Sequence, residues 1–67
     1  MTKTMSYYAI SEMDDGRTEV RLITRCGVSG NMKIVSDENR GIYEDANDAL
    51  VAMRALNTYL REASAAV

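Results

Sequence analysis

The chain has 67 residues, a formal net charge of −2, one cysteine and no histidine. This length allows one domain near the lower limit for independent folding. The single cysteine excludes an intramolecular disulfide, and without histidine there are too few ligands for a structural zinc site. We therefore expect residues 1–67 to form one small domain, stabilised by close packing or by association, with a homodimer as one alternative.

The polarity of the chain bears on where the protein acts. The first segment, Met1–Met5, is too polar for a secretory signal peptide. No stretch reaches the roughly 18 apolar residues that a membrane-spanning helix needs, and a lone cysteine suits a reducing compartment. These features predict a cytoplasmic protein that does not enter a membrane.

The N-terminal part of the chain predicts a β-hairpin. Ser6–Met13 is rich in aromatic and apolar residues, and both of its faces carry apolar groups, so the buried face stays open. Asp14-Asp15-Gly16 predicts a tight turn with a bulge, because glycine adopts a positive φ. A second strand follows over Arg17–Cys26. Its alternation places Thr18, Val20, Leu22, Thr24 and Cys26 on one face and Arg17, Glu19, Arg21, Ile23 and Arg25 on the other.

The middle of the chain predicts a short third strand. Ser29-Gly30 is the expected tip of the second turn, and Met32–Ser36 is the expected strand. We interpret Asp37–Gly41 as a polar loop, after which Ile42-Tyr43 adds a brief extended piece.

The C-terminal part predicts an α-helix from Asp45 to Ala63. Asp45 is a suitable N-cap, and Asp48 three residues later resembles the second half of a capping box. Apolar residues recur at three- and four-residue steps, which makes one stripe along the helix. They are Ala46, Ala49, Leu50, Met53, Leu56, Leu60 and Ala63.

These elements together predict an α+β fold, a three-stranded antiparallel sheet packed against one C-terminal helix. The helix stripe is expected to cover the sheet face that carries Val20 and Leu22. The opposite face would be solvated or would contact a partner. Three apolar side chains are candidate partner contacts: Val51 on the polar side of the helix, Ile23 among the arginines, and Tyr59 at the edge of the helix stripe. For Tyr59, partial packing into the core is the favoured alternative.

Catalysis is not expected from these residues, and no cofactor or metal is implied. The lack of histidine removes the commonest general base and the usual Ser or Cys triads. Cys26 alternates with core-facing residues, so we interpret it as a small buried apolar group. The chain also lacks a glycine-rich phosphate loop followed by lysine, and Asp14-Asp15-Gly16 lacks the spacing of a calcium loop.

Acidic residues are concentrated in one part of the sequence, and nine of the ten lie at or before Asp48. These nine are the candidate partner-binding residues Glu12, Asp14, Asp15, Glu19, Asp37, Glu38, Glu44, Asp45 and Asp48. If the first turn and the helix start share one end of the domain, they form a negative surface there. Such a surface attracts a partner with a basic surface and speeds association with it.

A second interpretation assigns the function to basic residues. Arg17, Arg21 and Arg25 share one face of the second strand, and Lys33 and Tyr7 are expected to join them from the neighbouring strands. Basic side chains beside an aromatic ring on an exposed sheet are typical of single-strand nucleic-acid binding. Cross-strand charge pairing is the alternative explanation. The acidic net charge favours a protein partner over direct nucleic-acid binding.

The chain length, the acidic groups Asp14-Asp15, Asp37-Glu38 and Glu44–Asp48, and the hairpin-to-helix plan resemble small inhibitors encoded by phages and mobile elements. Anti-CRISPR proteins belong to this type. The resemblance implies a non-enzymatic inhibitor that binds a host protein complex, such as a CRISPR effector. Its carboxylates would occupy positions meant for DNA phosphates and so block DNA entry.

Overall fold

The computed structural model describes the backbone of residues 2–65 and the side chains of residues 2–63. Strands β1 (Lys3–Glu12), β2 (Thr18–Val28) and β3 (Asn31–Tyr43) precede one helix, α1 (Ala46–Ala65). The strands form one antiparallel sheet in the order β1-β2-β3, so β1 and β3 are its edges. The predicted α+β fold with three strands and a C-terminal helix is confirmed.

The first hairpin closes through a three-residue loop of the predicted kind. The Gly16 N–H donates to the Met13 carbonyl at 3.0 Å, and the Met13 N–H donates to the Arg17 carbonyl at 2.7 Å. Gly16 has a φ of 91°, a conformation that is strained for side chains with a Cβ. This is a turn followed by a glycine bulge, which confirms the predicted turn chemistry.

The third strand is much longer than predicted, and the expected polar loop at Asp37–Gly41 is wrong. These residues continue β3 and pair with β2, with Asp37 opposite Ile23 and Gly41 opposite Val20. The pairing shifts at two places, which leaves Val35 and Arg40 as extra residues in β3. Polar residues are tolerated here because β3 is a solvated edge strand, and pairing with β2 outweighs their low strand propensity.

The helix begins as predicted. The Asn47 N–H donates to the Asp45 carboxylate at 2.7 Å, and the Ala49 N–H donates to the Asp45 carbonyl at 3.2 Å. Asp45 is therefore the N-cap, and its charge is favourable beside the positive end of the helix dipole. The helix extends to Ala65, two residues beyond the predicted end.

Removing this cap is expected to destabilise the domain modestly. Asp45→Ala should lower the free energy of unfolding by about 1 kcal/mol, because the Asn47 N–H loses its acceptor. Urea denaturation followed by circular dichroism measures the change. Glu44→Ala, one residue earlier and also exposed, is the matched control and should change stability by less than about 0.5 kcal/mol. Equal effects of the two substitutions would contradict the capping role of Asp45.

The core is small and lies between the helix and one sheet face. Val20 and Ala49 are fully buried, and Thr18 is 6% exposed. The helix covers the Val20 face as predicted, but Leu22 stays half-buried because α1 runs from Val20 toward the β1 edge. Tyr59 is 72% exposed, so its predicted packing into the core is wrong. The C-terminal half of α1 lies at the sheet edge and has less sheet to pack on.

Asn57 fixes the helix to this edge. Its side-chain oxygen accepts the Tyr8 N–H at 2.7 Å, and its side-chain nitrogen donates to the Tyr8 carbonyl at 2.9 Å. The amide thus occupies both backbone groups that an edge strand offers at this position. Its nitrogen also lies 3.2 Å from the sulfur of Met53. One side chain therefore replaces a missing neighbouring strand.

Candidate functional site

The first turn and the helix start lie at the same end of the domain. Thr18 at the start of β2 pairs with Tyr43 at the end of β3, so the helix begins beside the β1–β2 turn. A cleft of about 300 Å³ joins the two segments. It is lined by Ile10, Glu12, Gly16, Thr18 and Ala46. A negative surface at this end requires that the first turn and the helix start lie together, and they do.

Six of the nine candidate carboxylates belong to this end, and all six are exposed. We call them the acidic end; they are Glu12, Asp14, Asp15, Glu44, Asp45 and Asp48. Arg17 lies among them, and the pKa of its guanidinium is raised mainly by the hydrogen bond that it donates to Asp15, with a smaller contribution from Glu44. Within residues 2–63, the ion pairs place one arginine, Arg17, against these six carboxylates, which leaves this end negative.

Two of the six carboxylates also stabilise local structure. Asp15 accepts the Arg17 Nε at 2.8 Å through one oxygen and the Arg17 backbone N–H at 3.0 Å through the other. The side-chain hydrogen bond from Arg17, followed by the backbone one, holds the pKa of Asp15 below its ordinary value. Asp45 caps the helix. Within residues 2–63, the ion pairs do not involve the other four carboxylates, which are Glu12, Asp14, Glu44 and Asp48.

The remaining three candidate carboxylates lie on the sheet, outside the acidic end. Glu19 and Asp37 both bind Arg21, each with an oxygen 2.6 Å from a guanidinium nitrogen. Asn39 donates to Glu19 at 2.6 Å, and this bond, followed by the one from Arg21, lowers the pKa of Glu19. Glu38 pairs with Arg40 at 2.7 Å. These carboxylates are engaged in cross-strand or same-strand pairs.

The basic residues predicted to form one surface do not all lie together with free charges. Arg17 and Arg21 are bound to carboxylates. Lys33 pairs with Cys26, whereas Ile34 pairs with Arg25, so Lys33 lies on the sheet face opposite to the arginines and its predicted placement beside them is wrong. The alternation within Met32–Ser36 did not define the register with β2, which decides the face. Tyr7 does share the arginine face, where it pairs with Ile23.

Cys26 is half-buried on the Val20 face and accepts a hydrogen bond from the Thr4 hydroxyl at 3.8 Å. Its predicted placement on the core-facing side of β2 is confirmed, although its burial is only partial. Across the described part of the chain, no three Cys, Asp or Glu side chains are grouped so that they could hold a metal ion. Within the same part, α1 lacks the length of apolar sequence that crossing a bilayer requires.

Two features of the structure had no clear signal in the sequence. One is the amide clamp of Asn57 on Tyr8, which depends on the path of the helix along the sheet edge. The other is the sheet face opposite the Val20 core, where Met5 and Ile34 are 53% and 51% exposed. The alternation in β2 predicts a charged face with Ile23 as a candidate partner contact, but not the apolar side chains that β1 and β3 add to it.

Comparison of the chain with family models, with curated proteins and with solved structures finds no match.

Proposed function

We propose that the protein is a non-enzymatic inhibitor that binds a host protein complex through the acidic end. The observation that carries the proposal is the gathering of six exposed carboxylates, with one arginine, where the first turn meets the helix start. A partner with a basic nucleic-acid-binding surface offers the complementary charge. Occupation of that surface would exclude nucleic acid, as the resemblance to anti-CRISPR proteins in the bacterial cytoplasm implies.

Within residues 2–63, the four carboxylates of the acidic end that take part neither in an ion pair nor in the helix cap supply the expected attraction. Glu12, Asp14, Glu44 and Asp48 are exposed, so the long-range field of the acidic end steers a basic partner toward it. Asp15 and Asp45 already serve the turn and the helix cap. Because these two also hold the local backbone, the surface is rigid before binding, which lowers the entropy lost on association.

Direct nucleic-acid binding is the alternative, and the charge pairs reduce its support. Phosphate contacts need cations that can exchange their counterions. Arg21 is already held by Glu19 and Asp37, and Arg17 is held by Asp15. Lys33 lies on the other sheet face. The acidic end therefore has the stronger support as the binding surface.

Charge reversal tests the proposal. Asp14→Lys and Glu44→Lys, combined in one tagged chain, should reduce capture of the protein partner from a nuclease-treated bacterial lysate by at least about 100-fold, since several charge pairs are lost. Both residues lie outside the ion pairs found within residues 2–63, so the fold should be kept. Capture by the unchanged chain should weaken as salt rises.

Glu62→Lys is the control, because Glu62 is an exposed acid far along the helix and outside the acidic end. It should leave capture nearly unchanged. DNA added to the lysate should compete with the unchanged chain for its partner. The proposal fails if capture survives reversal at the acidic end, or if the captured material is nucleic acid that nuclease removes.

A further inference from the structure

The sheet face opposite the Val20 core carries a band of apolar side chains across all three strands. Met5, Arg25 and Ile34 lie in one cross-strand row, and Tyr7 and Ile23 are neighbours in the next row. Met32 lies in the row toward the second turn. We call these six residues the open sheet face. Among the described side chains, the helix borders it at the β1 side, where Leu60 and Arg61 line a groove with Met5 and Tyr7.

The dimensions of the chain show that much surface remains uncovered. It exposes 4966 Å², whereas a compact monomer of 7.4 kDa exposes about 4,200 Å². The radius of gyration is 13.3 Å, against about 11 Å for a compact domain of this length. The excess of roughly 750 Å², taken over the whole chain, is close to the area of about 800 Å² that each partner contributes to a standard interface.

Arg25 on this face has a buried hydrogen-bond donor that lacks an acceptor within residues 2–63. Its Nε is buried and has no hydrogen-bond partner among the described residues. A buried donor without an acceptor is unfavourable, and acceptors are expected to reach it. The flanking residues of its row, Met5 and Ile34, provide none from their side chains. The chain's own atoms cover this Nε, so an acceptor on a second molecule reaches it only after a shift of the Arg25 side chain.

We propose that the open sheet face binds a second copy of this chain, face to face, in a twofold dimer. The same face carries Asp37, of which one oxygen binds Arg21 and the other has no hydrogen bond among the described residues, so a second copy brings a carboxylate acceptor within the interface that covers the apolar band. Positive and negative side chains are both present on this face, which therefore does not repel itself. The acidic ends lie at the end of the sheet, outside the apolar band.

Sedimentation of the full chain tests the dimer. We expect the unchanged chain to sediment with twice its monomer mass and to dissociate on dilution. Met5→Glu combined with Ile34→Glu should raise the dissociation constant at least about 100-fold, because carboxylates would be buried in place of apolar groups. Both positions are more than half exposed in the single chain and flank Arg25, so the monomer should remain folded.

Val51→Glu combined with Tyr59→Glu is the matched control, because these apolar residues are 60% and 72% exposed on the helix. This control should sediment like the unchanged chain. A monomer at every concentration of the unchanged chain overturns the proposal without reference to any variant. A dimer that persists in the sheet-face variant, or that is lost only in the helix variant, overturns it as well.

Discussion

Asn57→Leu is expected to lower the free energy of unfolding by about 2–4 kcal/mol, because two backbone groups lose their partners at once. The Tyr8 N–H and the Tyr8 carbonyl both bond to the Asn57 amide, at 2.7 and 2.9 Å in a partly buried site. Leucine has a similar volume but can neither donate nor accept. A domain of this size has about 3–5 kcal/mol of stability, so the variant should be only marginally stable.

Urea denaturation at one fixed protein concentration measures this loss, since any association would otherwise alter the midpoint. Thr58→Ala is the control from the next position on the helix. The Thr58 hydroxyl is exposed and donates only to the Arg54 carbonyl within its own helix, at 3.0 Å. Its removal should change stability by less than about 0.5 kcal/mol. If Asn57→Leu is as stable as Thr58→Ala, the amide clamp does not hold the helix to β1.

Gly27→Ala is expected to destabilise the second hairpin by about 2–4 kcal/mol, since it combines backbone strain with a steric clash. Gly27 has a φ of 151°. A Cβ at this position would lie 2.6 Å from the backbone oxygen of Asn31, which cannot move without disturbing the turn. The melting temperature and the urea midpoint should both fall.

Gly30→Ala separates the two causes. Gly30 has a φ of 85°, but a Cβ there meets nothing within 4 Å in the described structure. It should therefore lose only the strain contribution of about 1–2 kcal/mol. Equal losses at Gly27 and Gly30 would show that the clash with Asn31 is relieved by a small shift, and that strain alone explains both results.

Features that depend on neighbouring residues were predicted correctly from the sequence, whereas features that depend on residues distant in the chain were not. The first turn and the N-cap depend on neighbouring residues, and Gly16 and Asp45 behave as their types predict. The sequence predicts a third strand that ends at Ser36, because Asp37–Gly41 has the composition of a loop. Its strand conformation is imposed by pairing with β2, which no local pattern encodes.

The candidate site shows the same division. The shared location of the first turn and the helix start follows from simple antiparallel connections, and the structure has it. Glu19 and Asp37 lie outside the acidic end and bind Arg21 on the sheet. The position of Asp37 beside Arg21 and the face on which Lys33 lies both depend on the register between β2 and β3. The Asn57 clamp depends on the crossing path of the helix, which amphipathic periodicity leaves undetermined.

The two edges of the sheet limit how far any assembly can grow. On β1 the Asn57 amide already fills the backbone groups of Tyr8, and on β3 the extra residues Val35 and Arg40 interrupt the regular ladder. Interrupted or occupied edges are poor templates for another strand. Copies of this chain that meet through the open sheet face would therefore stop at a closed pair. A continuous β-ribbon would not form, because neither edge offers a regular strand to extend.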